Sequence, residues 1–157
     1  MGFDTVIASV IAITIIVLVA YTFISGSTSI TENAINNYKE LIKNELKRLN
    51  TAIKILNVTY SNGTLQAYFK NTGNERFMDF EGFDLFIYGS TEGGSNVVIY
   101  VTSAQYNITR ELINPGIFDP QEIASVRSTV TLSNGTYTLK ICTPNAVCDT
   151  LDFEVRL

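Results

Sequence analysis

The residues of this chain that are able to do chemistry are mostly carboxylates. Two groups of them lie close together in the sequence, and they consist of Asp79, Glu81 and Asp84 and of Asp149, Asp152 and Glu154. Carboxylate oxygens are good ligands for Ca²⁺, but neither group has the spacing of a known calcium loop, and carboxylates at turns and strand edges are usually solvated. We therefore expect no metal site and no cofactor.

The chain contains no histidine, which removes the usual general base and the Ser-His and Cys-His nucleophile systems. It also lacks a phosphate-binding loop and a dinucleotide-binding glycine pattern. A carboxylate pair of the glycosidase kind is the enzymatic alternative that this composition leaves open. The composition favours a protein that is not an enzyme.

Cys142 and Cys148 flank a short loop between the last two predicted strands. In the alternation of those strands both cysteines occupy outward-facing positions, so we expect them opposite each other across a hairpin. This predicts a disulfide, and for so short a loop the chain-entropy estimate of its stabilisation is about 2 kcal/mol. Metal binding is the alternative, although the thiolate ligand set is incomplete. A disulfide is typical of an oxidising exterior.

Four N-x-Ser/Thr sequons also indicate an exterior location, and they begin at Asn57, Asn62, Asn107 and Asn134. They are candidate glycosylation sites, which would make the protein a glycoprotein. The distribution of basic residues leans the other way, because none precedes the apolar segment and Lys39 is the first one after it. On the sequons and the cysteine pair we expect the N-terminus inside and the C-terminal domain outside.

The net charge of -4 arises beyond Asn50, where seven Lys or Arg stand against eleven Asp or Glu. Binding to phosphate groups needs a basic face. Nucleic acid is therefore not an expected partner.

The segment from Val6 to Ile24 contains no charged residue, and at ~1.5 Å per residue it is long enough to cross a membrane. We predict a single transmembrane helix over residues 1–27. The alternatives are a cleaved secretory signal, a pilin-type leader and a helix buried in a soluble core. The first two should begin with basic residues, which are absent here, and nothing else in the chain is able to cover the third on all sides.

Residues 28–51 are predicted to form an amphipathic helical stalk, loosened from the span at Gly26-Ser27 and capped by Thr31. Apolar residues at spacings of three and four form a candidate stalk interface, which consists of Ile35, Tyr38, Ile42, Leu46 and Leu49. This stripe meets either another copy or a partner helix, or else the domain of its own chain.

Beyond residue 51 the apolar period changes to two, which predicts strands at 52–60, 64–71, 83–88, 96–106, 123–132, 136–143 and 149–156. Asn62-Gly63 and Asn134-Gly135 are hairpin signals. We predict an all-β fold over 52–157, an immunoglobulin-like β-sandwich of about seven strands. The expected core faces contain Leu65, Ala67, Phe69, Tyr137, Leu139, Ile141, Leu151, Phe153, Val155 and Leu157.

This arrangement resembles the archaeal flagellar (archaellum) accessory protein F family, with protein G of the same machine similar in architecture. The resemblance covers the start Met1-Gly2-Phe3 that runs into an apolar helix, the stalk, and the segments 58–65 and 68–74 of the β-domain. It implies a stator subunit held in the cytoplasmic membrane. Its immunoglobulin-like domain would lie in the pseudo-periplasm and bind the surface-layer protein, next to other subunits such as protein G and the motor membrane protein.

A stator subunit needs a protein-binding surface, and the third predicted strand is apolar on both faces. We predict partner contacts from this strand and from the long connection at 107–122, namely Phe83, Phe86, Tyr88, Ile113, Ile117 and Phe118. The alternative is that these residues complete the core. The alternative functions are a filament-forming archaellin or type IV pilin-like subunit and a tethered adhesion module. A homo- or hetero-oligomer is expected.

Overall fold

The computed structural model describes residues 2–156, so Met1 and the predicted core residue Leu157 lie outside the described part. One helix precedes eight strands. Their bounds are α1 (Gly2–Asn50), β1 (Ile53–Ser61), β2 (Thr64–Asn71), β3 (Asp84–Thr91), β4 (Asn96–Tyr100), β5 (Gln105–Arg110), β6 (Ile123–Thr129), β7 (Gly135–Cys142) and β8 (Cys148–Val155). The long helix means that the chain as a whole is not all-β.

The chain divides into two compact units, one up to Lys43 and one from Asn44 to the C-terminus. Most of α1 forms the first unit, and by length and composition this helix is able to cross a membrane. Its hydroxyl groups are satisfied within the helix, because the side chains of Ser9, Thr14 and Thr22 donate to carbonyls three or four residues earlier. The apolar segment therefore exposes few unpaired polar groups.

Helix α1 continues through Gly26-Ser27 without the predicted loosening point. Thr31 is not a cap, because it lies within the helix and its hydroxyl donates to the carbonyl of Ser27 at 2.9 Å. A single glycine costs a helix only about 1 kcal/mol relative to alanine, so Gly26 alone is not enough to interrupt α1.

The strands form two antiparallel four-stranded sheets. The first has the order β1-β2-β6-β5 and the second β4-β3-β7-β8. The predicted strand at 96–106 is wrong as a single element, because it comprises β4 of the second sheet and β5 of the first. Between them Val101 is buried, and its N–H donates to the carbonyl of Leu85 at 2.9 Å. The chain crosses here from one sheet to the other.

The core lies between the sheets and is built from the inward face of each strand. The predicted core faces of β2 and β7 are confirmed, since Phe69, Leu139 and Ile141 are fully buried. Phe69 lies at the centre of an aromatic cluster, with Phe118 at 5.4 Å between ring centroids. Leu151 is only half-buried at the margin of this core.

Asp149 of β8 closes the side of the sandwich where β1 meets β8, and a disulfide joins β8 to β7. The carboxylate of Asp149 accepts hydrogen bonds from the N–H of Ile55 at 2.7 Å and from Lys54 Nζ at 3.3 Å. The disulfide between Cys142 and Cys148 joins paired residues of β7 and β8, which confirms the sequence prediction. Asp149 thus supplies an acceptor where no strand pairs with this edge of β1.

The end of α1 belongs to the second unit and is bound to the connection between β2 and β3. The N–H groups of Asn74 and Glu75 donate to the carbonyl of Asn50, at 2.7 and 3.1 Å. Those of Thr72 and Gly73 both donate to the carbonyl of Ala52 at 2.9 Å. These four donors satisfy the carbonyl of Asn50, the last residue of α1, and that of Ala52, which follows the helix.

Candidate protein-docking surface

The outer side of the second sheet carries a group of apolar and aromatic side chains. Successive strand residues point to opposite faces, so Leu85 and Ile87 of β3 enter the core while Phe86 and Tyr88 face outward. In the register with β4, Phe86 pairs with Tyr100 and Tyr88 pairs with Val98. We call these four outward residues the aromatic face.

The aromatic face is partly open to solvent. Val98 is 79% exposed, Tyr100 54% and Tyr88 38%, whereas Phe86 is half-buried beneath the ring of Tyr100 at 5.0 Å between centroids. Strand β4 lies at the edge of its sheet. Exposed apolar side chains beside a free strand edge are typical of a protein-binding surface.

Tyr100 is fixed in position by a hydrogen bond that its hydroxyl donates to the carboxylate of Asp84 at 2.8 Å. This hydrogen bond, together with the negative charge of Asp84, raises the pKa of the Tyr100 phenol. The ring is therefore oriented over Phe86, and its phenol keeps the proton to a higher pH than an ordinary tyrosine does.

A concavity of about 480 Å³ adjoins the aromatic face where the chain crosses from β4 to β5. Its lining consists of Phe80, Glu81, Phe83, Tyr100, Val101, Thr102, Ala104 and Tyr106. The rings of Phe80 and Tyr106 are stacked in it, 4.9 Å apart between centroids. A concavity with aromatic walls suits one apolar side chain of a partner protein.

Burial, followed by the charges of Asp84 and Tyr100, raises the pKa of Tyr106 to about 12. The folded state therefore holds this proton more tightly than the unfolded chain, and the resulting stabilisation is complete below pH 10 and is lost as the pH rises through about 12. We expect the variant Tyr106→Phe to lose less unfolding free energy over this interval than the parent chain, as measured by chemical denaturation at a series of pH values. Equal losses in both proteins would contradict the assignment.

The long connection at 111–122 forms a second exposed apolar site, held by a buried carboxylate. Glu122 is fully buried, and its side chain accepts hydrogen bonds from the N–H groups of Leu112 at 2.6 Å, Ile113 at 3.3 Å and Asp119 at 2.9 Å. The side chains of Leu112 and Ile113 are 49% and 65% exposed. Glu122 therefore fixes the backbone from which these two side chains project.

Asp119 supports the same connection from its other end. Its fully buried carboxylate accepts from the backbone N–H and from the amide of Asn114, at 3.2 and 2.8 Å. Arg76 Nε lies 3.2 Å from Asp119 Oδ1 without the alignment of a hydrogen bond, so this contact is an ion pair. The charge of the buried carboxylate is thus partly compensated.

The structure separates the six predicted contact residues into three groups. Phe86 and Tyr88 belong to the aromatic face, and Phe83 is 8% exposed but lines the adjoining concavity. Ile113 and the half-buried Ile117 lie in the connection between β5 and β6 of the other sheet. The prediction for Phe118 is corrected, because this side chain is fully buried in the core. Its partners there are Phe69, Phe77 and Phe80.

Sequence reasoning missed Val98 and Tyr100. Along β4 these two residues alternate toward the outer face, as Phe86 and Tyr88 do along β3. The alternation within 96–100 could have identified them once the register between β3 and β4 was known. It also missed the buried acids Asp119 and Glu122. No local signal marks these two, since acids in a connection that contains proline are typically solvated.

The two acidic groups of the sequence make structural contacts instead of forming one site. Asp79 accepts from the N–H of Glu81 at 2.9 Å, and Asp84 accepts from Tyr100. Asp152 accepts from the hydroxyl of Thr138 and Glu154 pairs with Arg156, each at 2.6 Å. Within residues 2–156, no three residues of the types Asp, Glu, His and Cys gather as a metal site would require.

The sequons lie at different places on the domain. Asn57 is exposed on β1 and Asn107 on β5, Asn62 is in the β1–β2 turn with φ 48°, and Asn134 is half-buried just before β7. The predicted stalk residues Ile35, Tyr38, Ile42, Leu46 and Leu49 lie in α1 with exposures between 42% and 79%. Glycosylation and the pairing of the stalk stay predictions.

A long apolar helix followed by two antiparallel sheets and a disulfide defines the class as a β-sandwich protein with an N-terminal apolar helix. No protein-family model matches the chain. The chain belongs to the family of an uncharacterized protein from Archaeoglobus fulgidus, with which it is 56% identical over 157 residues, 99% of this chain and 98% of the relative.

Two solved structures of archaellum proteins are similar to part of this chain. The periplasmic stator protein FlaG from Sulfolobus acidocaldarius matches 66% of this chain and 99% of its own, with a TM-score of 0.48 and 21% identity. The stator protein complex FlaF and FlaG from the same organism matches 64% of this chain and 87% of its own, with a TM-score of 0.45 and 20% identity.

Proposed function

We propose that this protein is a structural subunit of the archaellum stator, anchored in the cytoplasmic membrane by residues 1–27. Residues 28–51 serve as its stalk, and the domain 52–157, of immunoglobulin type, lies outside and binds the surface-layer protein. The sequence resemblance in segments 58–65 and 68–74 supports this proposal, together with the apolar helix and the disulfide.

The role is mechanical. A stator subunit transmits force between a membrane and a fixed outer lattice, so it needs an apolar anchor, a spacer and a stable domain with a surface for the lattice protein. The chain offers all three, and the buried aromatic cluster around Phe69 gives the domain a rigid core.

The observation that carries the proposal is the aromatic face. Interface centres in proteins are enriched in aromatic residues, and Tyr88 and Tyr100 place such side chains on an open sheet, next to the apolar Val98 on the edge strand β4. The adjoining concavity accepts an apolar side chain of the surface-layer protein, while β4 pairs with one of its strands.

The apolar stripe of the stalk gives the subunit a second contact. Ile35, Ile42 and Leu49 recur at intervals of seven residues, and Tyr38 and Leu46 lie on the same side of the helix. This stripe pairs with the helix of another stator subunit, either a second copy or a protein of the G type, near the motor membrane protein.

Val98→Asp tests the docking surface. A carboxylate on the edge strand of the aromatic face is desolvated on binding, so we expect at least a tenfold loss of affinity, about 1.4 kcal/mol or more. The measurement is the amount of surface-layer protein that purifies with the full chain from native membranes. Val98 is 79% exposed, so we expect the variant to fold. Cooperative thermal unfolding checks this.

The matched control is Leu56→Asp, which introduces the same charge at an apolar residue of the first sheet that is 48% exposed. This variant should retain the surface-layer protein. The docking assignment fails if Val98→Asp retains it as well, or if both variants lose it equally.

A further inference from the structure

The outer face of the first sheet is polar and differs from the aromatic face of the second sheet. Its outward residues form rows across the four strands, as defined by the strand register. One row contains Lys54, Lys70, Ile123 and Arg110, the next Asn57, Tyr68, Ser125 and Asn107, and the third Thr59, Gln66, Arg127 and Gln105. Amide, hydroxyl and cationic groups thus surround a single aromatic ring.

Charge is segregated between the two sheets. The strands of the first sheet contain four basic residues, Lys54, Lys70, Arg110 and Arg127, and no Asp or Glu. The strands of the second sheet contain four acidic residues, Asp84, Asp149, Asp152 and Glu154, and one lysine. In a protein of net charge -4, the first sheet is therefore positive.

Three of the four cations have no acidic partner. Lys54 pairs with Asp149, but Lys70, Arg110 and Arg127 form no ion pair with any residue in the described range 2–156. Arg127 is instead held by a hydrogen bond from its Nη2 to the side-chain oxygen of Gln66 at 3.1 Å. The amide nitrogen of Gln66 donates in turn to the hydroxyl of Tyr68 at 2.7 Å.

Gln66 and Arg127 line a concavity of about 610 Å³, together with Gln105, Tyr106, Asn107 and Ser125. The linked positions of Arg127, Gln66 and Tyr68 mean that a cation, an amide and an aromatic ring are arranged before any ligand binds. Because these groups are already ordered, the entropic cost of binding a ligand is smaller.

We propose that this face binds an acidic polysaccharide. Arg127, and Lys70 and Arg110 two rows further along the same face, neutralise the carboxylates of the sugar chain. The amides of Gln66 and Gln105 and the hydroxyl of Ser125 hydrogen-bond to sugar hydroxyls, since each of these groups is able to donate or accept. The ring of Tyr68 packs against the apolar face of a sugar ring.

Charge alone would also fit an acidic protein, but the composition of the face favours a carbohydrate. The centres of protein interfaces are depleted in charged residues and rich in apolar ones, whereas the three rows contain only Tyr68 and Ile123 as large apolar side chains. The ligand is therefore hydrated and rich in hydroxyl groups. This site lies on the sheet opposite the aromatic face. The experiment on polysaccharide binding and the experiment on surface-layer protein therefore test independent proposals.

The experiment measures binding of polygalacturonate to the full chain in detergent by titration calorimetry. Dextran serves as the neutral polysaccharide and polyglutamate as the acidic polypeptide. We expect polygalacturonate to bind, more weakly as salt rises, and dextran not to bind. Arg127→Gln should lower the affinity by about tenfold or more. The matched control Lys140→Gln removes a cation from the outer face of the second sheet and should leave binding unchanged.

Tyr68→Leu distinguishes polygalacturonate from polyglutamate, because it removes the aromatic ring that packs against a sugar. The leucine keeps an apolar side chain that a strand accommodates. The substitution should weaken binding of polygalacturonate, and cooperative unfolding of each variant excludes a folding defect. The proposal is overturned if polygalacturonate does not bind, if Arg127→Gln and Lys140→Gln weaken it equally, or if polyglutamate binds as tightly. Sugar attached at Asn107 in protein from native membranes also overturns it, because Asn107 lines the concavity.

Discussion

Gly73→Ala should lower the free energy of unfolding by about 3 kcal/mol or more. A Cβ atom at this position would lie 2.4 Å from the nitrogen of Ala52 and 2.4 Å from the carbonyl oxygen of Asn50. Both neighbours are backbone atoms, so no side chain is able to move aside. The substitution therefore forces the end of α1 away from the connection between β2 and β3.

Gly93→Ala is the matched control for this prediction. Its Cβ would lie 3.7 Å from the hydroxyl of Thr91, an ordinary van der Waals contact, so we expect a change within about 0.5 kcal/mol. Denaturant unfolding of both variants, followed by circular dichroism, measures the difference. Similar midpoints for the two variants would show that the close approach at Gly73 relaxes at little cost.

Glu122→Ala should destabilise the domain by about 3 kcal/mol. The substitution removes the acceptor of three N–H groups, those of Leu112, Ile113 and Asp119. A buried donor without a partner costs about 1–3 kcal/mol. Water that enters the loop and accepts from these N–H groups reduces the total cost. Glu122→Gln keeps one carboxamide oxygen as an acceptor and should cost less.

Glu111→Ala provides the control within the same connection. Glu111 is exposed and accepts from the N–H of Gly116, which water is able to replace. We expect its effect to stay below about 1 kcal/mol. Hydrogen exchange of the amides of Leu112 and Asp119 reports the local effect, and fast exchange in Glu122→Ala but slow exchange in Glu111→Ala is the expected pattern. Protection retained in Glu122→Ala would contradict the role of this carboxylate.

The elements with strong alternation were the ones that the sequence predicted well. The bounds of β2 agree with the prediction at 64–71, because Leu65, Ala67 and Phe69 alternate with polar residues between two turn signals. The break between β4 and β5 was not predictable from local sequence. Val101 continues the apolar pattern, and the crossing depends on its bond to Leu85, which lies in a different strand.

The candidate site was predictable only in part. Phe86 and Tyr88 were identified because β3 is apolar on both faces, but their neighbours Val98 and Tyr100 required the strand register. Phe118 has the same apolar character as the surface residues, and only its contacts with the cluster around Phe69 assign it to the core. The carboxylate of Glu122 is buried because backbone N–H groups up to ten residues away donate to it. Amino-acid composition does not reveal such contacts.

The four hydrogen bonds at the end of α1 determine how tension passes through this protein. Pulling on the chain at Asn50 loads the donors at 72–75 at the same time as the start of β1. Strand β1 is unable to peel from β2 at its N-terminal end until those four bonds have broken, so the first step of rupture is shared among several bonds. A chain under tension therefore resists extension at the point where α1 enters the folded domain.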